Sequence, residues 1–361
     1  MSLSVSLRHD LDSFQIDLAF DAQHGITVLF GRSGSGKTTI VNMVAGLIRP
    51  QHGRIRLYDT VLSDRESGRF VPSHRRRIGI VFQDGRLFPH LTVRQNLQFG
   101  AWFAPKDAPR EDFGRIVEML GIGPLLKRYP GSLSGGEKQR VAIGRAILSC
   151  PRMILADEPL SSLDEARKAE ILPYFERLRD ELNIPVLYVS HSPAEVARLA
   201  TRVVVVDAGR IVRQGDATDV LSDPNVTPIG ARGAGAILEG SVAAHHDDGL
   251  TELNVGGLSL YLPRLSRDVG SRVRIRIAAS DVIIARDRPT GLSALNILPG
   301  EIEKIRSGEG PGAIVSLKTD AGTLLARITR RSLAALVLEE GVPCFAIAKT
   351  VSIAPEDVGL G

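Results

Sequence analysis

The octapeptide Gly31-Arg32-Ser33-Gly34-Ser35-Gly36-Lys37-Thr38 has the residue types and spacing of a phosphate cradle, G-x-x-x-x-G-K-[ST]. Its glycines permit a tight loop whose backbone N–H groups, from Gly31 through Thr39, point inward at phosphate oxygens. Lys37 brings a cation to the β- and γ-phosphates of a nucleotide, and the Thr38 hydroxyl is an oxygen ligand for Mg²⁺. Two carboxylates, Asp157 and Glu158, close the apolar run Met153-Ile154-Leu155-Ala156. The first can hold Mg²⁺ through water and the second can polarise an attacking water, a pairing suited to phosphoanhydride hydrolysis. Ser134 and Glu137 have the S-x-x-E spacing of a capping box, opening a helix through Val141, Ile143 and Ile147. Gly135 and Gly136 in its first turn cost helix stability, which makes sense where an anion must approach bare N–H groups.

These groups need a rigid frame. Ile26-Thr27-Val28-Leu29-Phe30 reads as a buried strand, and Thr39 to Ile48 has helical apolar spacing at Ile40, Val41, Val44 and Leu47. Strand, loop and helix in that order aim the positive end of a helix at an anion. Strand and helix patterns alternate over residues 1–230, as in an α/β domain, but residues 84–150 carry mainly helical patterns and read as an inserted helical subdomain. Alternation resumes at Met153 to Ala156 and Pro185 to Val189, and a hairpin around Ala208-Gly209 closes it. Thr227 to Gly235 is small and Gly-rich, which places a linker at 231–235. Over 236–361 helix signals largely stop, and short alternating runs such as Leu258 to Leu262 and Val273 to Ile277 read as a small all-β barrel or sandwich. This tail looks duplicated, Gly240 to Ala285 matching Gly300 to Ala354, with Gly270 to Val273 standing where Gly341 to Cys344 stands.

With 361 residues the chain is too long for one compact core, and 43% apolar with 24% charged residues is ordinary for a globular protein. The net charge of +4 is too mild to demand nucleic acid; the densest basic run, Arg75-Arg76-Arg77, reads as a solvated face. Cys150 and Cys344, the only cysteines, have no metal or redox spacing. No apolar run is long enough to cross a bilayer and the N-terminus lacks a signal-peptide pattern, so any work at a membrane requires another subunit as anchor.

Taken in order, these segments resemble the motif set of ABC-type ATPases. Leu133-Ser134-Gly135-Gly136-Glu137 is similar to the signature sequence, and Gln83, after Ile78-Gly79-Ile80-Val81-Phe82, resembles the Q-loop glutamine. Ser161-Ser162-Leu163-Asp164 resembles the D-loop. His191, before Ser192-Pro193-Ala194-Glu195, resembles the switch histidine that contacts the γ-phosphate. The resemblance covers residues 1 to about 220. It implies an α/β P-loop NTPase fold, ATP and Mg²⁺ as cofactors, metal ligation by Thr38, Gln83 and Asp157, and catalysis by Glu158 with His191 and Gln83. It also implies a split site: one chain supplies the phosphate loop, and a second chain, head-to-tail, supplies Ser134, Gly135, Gly136 and the D-loop Asp164. The family often stacks adenine on an aromatic near the N-terminus, and Phe14 is the candidate.

The tail sharpens the resemblance. Ser293-Ala294-Leu295-Asn296, Leu298-Pro299-Gly300 and Lys349-Thr350-Val351-Ser352 resemble the OB-like barrel that follows importer ATPases, in the version similar to molybdate-binding modules. Phe70-Val71-Pro72 and Gly85-Arg86-Leu87-Phe88-Pro89-His90 also resemble the molybdate branch. The implied function is to energise molybdate or tungstate import from the cytoplasmic face of the inner membrane. Implied partners are a second copy, two permease subunits and, indirectly, a periplasmic binding protein, with no nucleic acid. Importers of sulfate, polyamine, iron or sugar are the alternative. Ser293, Asn296 and Lys349 are the candidate oxyanion ligands of the tail, although Leu295 stands where such modules often carry Arg.

Overall fold

The computed structural model describes residues 2–11, 14–105, 108–182, 184–223, 234–307, 310–353 and 357–360. The chain divides into two units, 1–191 with 199–214, and 192–198 with 215–361.

In the first unit, β1 (Leu3–Asp10), β2 (Gln15–Ala22), β3 (Ile26–Phe30), α1 (Lys37–Ala45), β4 (His52–Leu57), β5 (Thr60–Asp64) and β6 (Ile78–Val81) come first. The helices α2 (Val93–Phe99), α3 (Phe113–Met119) and α4 (Gly135–Leu148) follow with no strand among the described residues between them, so the stretch read as a helical insertion carries helices. Then come β7 (Met153–Asp157), α5 (Glu165–Glu181), β8 (Val186–Ser190), β9 (Arg202–Asp207) and β10 (Arg210–Gly215), while α6 (Pro193–Leu199), between β8 and β9 in sequence, belongs to the second unit. A four-stranded antiparallel sheet has the order β2-β1-β4-β5, and a six-stranded sheet has the order β10-β9-β3-β8-β7-β6. From β9 to β6 the strands run parallel. Leu3, Val5, Ile16, Ile55, Leu29, Ile40, Met43 and Leu155 share one core between the two sheets and α1. The β3 strand is buried along its whole length, as its mostly apolar run suggests.

Arg76 corrects the reading of the basic run as a solvated face. It is 1% exposed, and donates to the carbonyls of Met43 and Val44 at the end of α1 and to that of Val71. Burial lowers its guanidinium to about 10. It occupies the role of a helix C-terminal cation, adding hydrogen bonds to the carbonyl end of α1.

The second unit adds α7 (Ala217–Leu221), β11 (Gly235–His245), β12 (Leu250–Val255), β13 (Leu258–Pro263), β14 (Arg272–Ala278), β15 (Val282–Ala285), β16 (Asn296–Ser307), β17 (Gly312–Thr319), β18 (Gly322–Thr329), α8 (Arg330–Ala335), β19 (Pro343–Ala348) and β20 (Val358–Leu360). Residues 231–233 of the expected linker lie outside the described residues, while Gly235 already opens β11 opposite Ala278. Two five-stranded antiparallel sheets, β13-β12-β11-β14-β20 and β15-β19-β16-β17-β18, enclose one core. The duplication is visible in this order: each sheet repeats the same four-strand pattern, and the fifth strand of each copy completes the sheet of the other. A Cβ on Gly240 would stand 2.6 Å from the Asn254 carbonyl oxygen, and one on Gly300 2.7 Å from that of Lys318. Matching bulges follow at Val242/Ala244 and Ile302/Lys304. Gly240 pairs with Val273 as Gly300 pairs with Cys344, which is the equivalence the Gly270 and Gly341 turns suggest.

Candidate functional site

Four parallel strands end on one edge of the six-stranded sheet, and each is followed by a residue singled out above. The β3 strand runs into Gly31–Gly36, β6 into Gln83, β7 into Asp157-Glu158, and β8 into His191. Ligands of open parallel sheets bind at this carboxyl edge. Gly31 is obligatory because a Cβ there would drive into the Val206 carbonyl oxygen. Gly34 and Gly36 have φ of 82° and 98°, in the left-handed region.

Inside the loop, the Lys37 ammonium is buried and donates to the carbonyls of Gly31 (2.9 Å) and Arg32 (2.6 Å) and to the Ser35 hydroxyl (3.4 Å). Burial lowers its pKa, opposed by the charges of Glu158 and Asp157. The Thr38 hydroxyl donates to Asp157 Oδ1 at 3.2 Å. Burial raises the Asp157 carboxyl above the ordinary range; the Thr38 hydrogen bond opposes this, Glu158 adds to it, and Lys37 and Arg86 oppose it. A hydroxyl and a carboxylate in contact are hard oxygen donors that suit Mg²⁺, which binds few protein groups and completes its shell with water and phosphate. The described residues contain no cluster of three or more His, Cys, Asp or Glu able to hold a metal.

Glu158 adopts φ 45°, strained for a non-glycine residue. The turn is held by its N–H donating to Val189 and by Ser161, whose N–H and hydroxyl both donate to the Glu158 carbonyl. His191 Nδ1 lies 3.4 Å from Glu158 Oε2. A hollow of about 180 Å³ is lined by Ser33, Gly34, Gly36, Lys37, Thr38, Thr39 and Glu158, with Leu11 and Phe14 on its wall. Phe14, the candidate for adenine stacking, therefore stands beside the phosphate loop, and a Cβ on Gly36 would meet its ring edge at 3.3 Å.

The expected capping box at the head of α4 is present: Ser134 Oγ accepts from Glu137 N–H, and the Glu137 carboxylate accepts from Ser134 N–H. A Cβ on Gly135 would meet the mobile end of Leu163 at 3.3 Å and one on Gly136 would meet Ile171 at 3.7 Å. Among the described residues no backbone contact demands these glycines, which cost the helix stability. Gln83 is exposed and lines a groove of about 500 Å³ with Gly135, Ser162 and Leu163, rather than the hollow that holds Thr38 and Glu158. Asp164 caps α5, accepting from Arg167 N–H at 2.9 Å.

The tail departs from expectation at Asn296. It is fully buried, its Oδ1 accepting from Tyr261 N–H and its Nδ2 donating to the Tyr261 carbonyl. Its amide thus pins β13 to β16 and is not presented to an anion. Ser293 and Lys349 are both exposed, and Leu295 is 53% exposed.

Three residues that sequence reasoning passed over hold the segment on either side of Gln83. Gln139 donates to the Phe82 carbonyl at 3.2 Å, and Arg145 donates to those of Gly85 and Arg86. Both stand on α4, so the helix headed by Ser134 grips the loop that carries Gln83. Asn96, fully buried, accepts from Phe88 N–H and donates to the carbonyls of Phe88, Leu91 and Thr92. A polar residue inside the apolar spacing of a helix was the available signal for Asn96; partners distant in sequence left none for Arg145.

The phosphate loop, the paired carboxylates and the histidine at one sheet edge, with the glycine-headed α4 nearby, define an ATP-binding cassette. Residues 16–161 match the ABC transporter family and residues 292–355 the TOBE domain family. Among solved structures, cbiO1 of Clostridium perfringens, part of the ABC transporter complex cbiONQ, superposes with TM-score 0.53 at 28% identity, over 62% of this chain and 92% of that one. The chain is 52% identical to the molybdenum import ATP-binding protein ModC of Mesorhizobium japonicum, over 100% of this chain and 98% of that protein. It is 46% identical to the protein of the same name from Brucella melitensis, over 97% of each. The chain belongs to this family of molybdenum import ATP-binding proteins. No helix among the described residues is long and apolar enough to cross a membrane.

Proposed function

We propose that this chain hydrolyses ATP to energise molybdate or tungstate import, docked as a peripheral subunit on a permease at the cytoplasmic face of the inner membrane. The observation that carries the reading is the convergence of Lys37, Thr38, Asp157, Glu158 and His191 at one sheet edge, in a chain similar over its whole length to molybdenum import ATPases. Lys37 orients the β- and γ-phosphates, and Thr38 with Asp157 would hold Mg²⁺. When bound, the ion neutralises charge on the phosphate oxygens. Glu158 accepts the proton of the attacking water, and His191 restrains its carboxylate and faces the γ-phosphate. Two copies act head-to-tail on two permease subunits, each lending Ser134, Gly135, Gly136 and Asp164 to the other's nucleotide, and a periplasmic binding protein delivers the oxyanion. Residues 1–230 form the ATPase module and 236–361 the regulatory one.

The groove that begins at Gln83 receives the permease. Phe88, Phe99, Trp102 and Phe103 cluster on the same loop and helix, with Trp102 65% and Phe103 76% exposed. Exposed aromatics of this kind suit an apolar partner surface. The test is the complex reconstituted in vesicles, with ATP hydrolysis and molybdate uptake followed together. Both should depend on molybdate-loaded binding protein and vanish in Lys37→Ala. Stimulation by sulfate but not molybdate would place the chain with another importer.

A further inference from the structure

A cavity of about 400 Å³ lies at the opposite edge of the same sheet, where Arg77 precedes β6, Arg152 precedes β7 and Ile184 leads into β8. Tyr58, Ile147 and Cys150 complete the part of its wall that matters here. Three of these residues, Tyr58 (φ 50°), Arg77 (φ 54°) and Cys150 (φ 53°), hold left-handed backbone conformations that non-glycine residues rarely adopt. Such strain collects at functional sites.

The charges are unbalanced. Arg77 Nη2 donates to the Cys150 carbonyl at 3.0 Å, while its Nε is buried with no hydrogen-bond partner among the described residues. Arg152 Nη1 donates to the Thr60 hydroxyl at 2.9 Å, and its guanidinium lies 5.2 Å over the Tyr58 ring. Neither guanidinium has a carboxylate partner among the described residues. Glu111, the acid on the wall, is drawn toward Arg115 at 3.9 Å. The wall also carries Tyr58, whose ring lies against Arg152, and two isoleucines, of which Ile147 is fully buried. The volume falls in the range of small-molecule sites, which pair apolar walls with a few placed polar groups.

We propose that this cavity binds a small organic anion with an aromatic or branched apolar body, its acid group held by Arg77 and Arg152 and its body against Tyr58 and Ile184. An inorganic oxyanion would leave the apolar wall idle, and a neutral ligand would leave the guanidiniums unanswered. The site lies one strand length from the nucleotide edge, about 13–17 Å at 3.3 Å per residue, so the anion and the nucleotide bind together without competing.

The test is calorimetry on the full chain saturated with Mg²⁺–ADP, titrated with 2-naphthoate, 2-naphthalenemethanol and inorganic phosphate. The expected result is saturable one-to-one binding of 2-naphthoate, much weaker binding of the alcohol, and no displacement by phosphate. Arg152→Gln should weaken 2-naphthoate by about tenfold or more, the scale of one lost charged hydrogen bond. Ile184→Trp, which fills the cavity, should abolish it, and both variants should keep the parent's affinity for Mg²⁺–ADP. Lys37→Ala should lose the nucleotide yet keep 2-naphthoate, so failure of the ATPase reading leaves this test standing. Absence of saturable binding, equal binding of the alcohol, displacement by phosphate or by ADP, or unchanged affinity in Arg152→Gln and Ile184→Trp would each overturn the proposal.

Discussion

Two regions of this molecule carry the sequence marks of an oxyanion site, and the structure builds them very differently. At the phosphate loop the cation is buried, its ammonium fixed by two carbonyls and a hydroxyl, and the glycines are enforced by a carbonyl contact and by positive φ. In the tail, Ser293 and Lys349 are exposed and Asn296 spends its amide on Tyr261. A preorganised site has its ordering cost met by the fold before the ligand arrives, whereas an exposed lysine must be ordered by the ligand and is screened by salt. Residue types alone do not distinguish the two; burial and the partners of each polar atom do.

The largest expected effect tests the stronger half of that contrast. Lys37→Ala should weaken ATP by about 100-fold or more, as a buried cation's hydrogen bonds to phosphate are lost; equilibrium binding of a fluorescent ATP analogue reads it. Glu158→Gln should bind ATP normally but hydrolyse it about 10²–10⁴-fold more slowly, the range of a lost general base. With ATP and Mg²⁺ it should accumulate as a dimer on gel filtration, and a protein that stays monomeric at saturating ATP would contradict the split site.

The contrast predicts the opposite behaviour for Asn296. Asn296→Ala should cost about 1–3 kcal/mol, because two part-buried backbone groups of Tyr261 lose their partner. Urea unfolding of the full chain should show it, while ATP binding stays at the parent value. A smaller effect belongs to Asp157. Its folded pKa is raised, so its ionised form opposes folding above the unfolded pKa, and that penalty is relieved as pH falls through the raised value. Protons then compete with Mg²⁺ for the same oxygen, so Mg²⁺-dependent nucleotide binding should weaken over the pH range in which the nucleotide-free protein gains stability. Asp157→Asn should raise the Tm of the nucleotide-free protein and remove that pH dependence. A lower Tm would show that the Thr38 bond outweighs the burial penalty.

The legible parts of this chain were those written in local spacing. The phosphate loop, the capping box of Ser134 and Glu137, and the strand before Asp157 each depend on neighbours within one or two turns, and each stands where the pattern puts it. Arg76 could not be read that way: nothing in Arg75-Arg76-Arg77 says that the middle residue reaches the carbonyl end of α1. Arg145, which grips Gly85 and Arg86 from α4, was hidden for the same reason. The exchange of fifth strands in the tail was also out of reach, because a repeat fixes the order of strands within each copy but not which copy a terminal strand joins. Asn296 illustrates a subtler limit, since the same amide serves an anion or a neighbouring strand, and only its burial decides.

The smallest expected effect is at Lys349. Titration of the full chain with molybdate at low salt should show at most weak heat from the tail, because a single exposed ammonium in water contributes little and is screened within about 10 Å at 0.1 M salt. Lys349→Ala should then change molybdate affinity by no more than about threefold, the effect of a surface ion pair, and physiological salt should erase the difference. The opposite result would be equally informative. Saturable heat that persists at physiological salt and disappears in both Lys349→Ala and Ser293→Ala would mean that these residues are buried on the anion by a second copy of the tail. The exposed Leu292, Leu295 and Val351 near them are apolar enough to lie in such a contact. Repeating the titration across a dilution series separates the cases, since a site completed by two chains loses affinity as the dimer dissociates and a site within one chain does not.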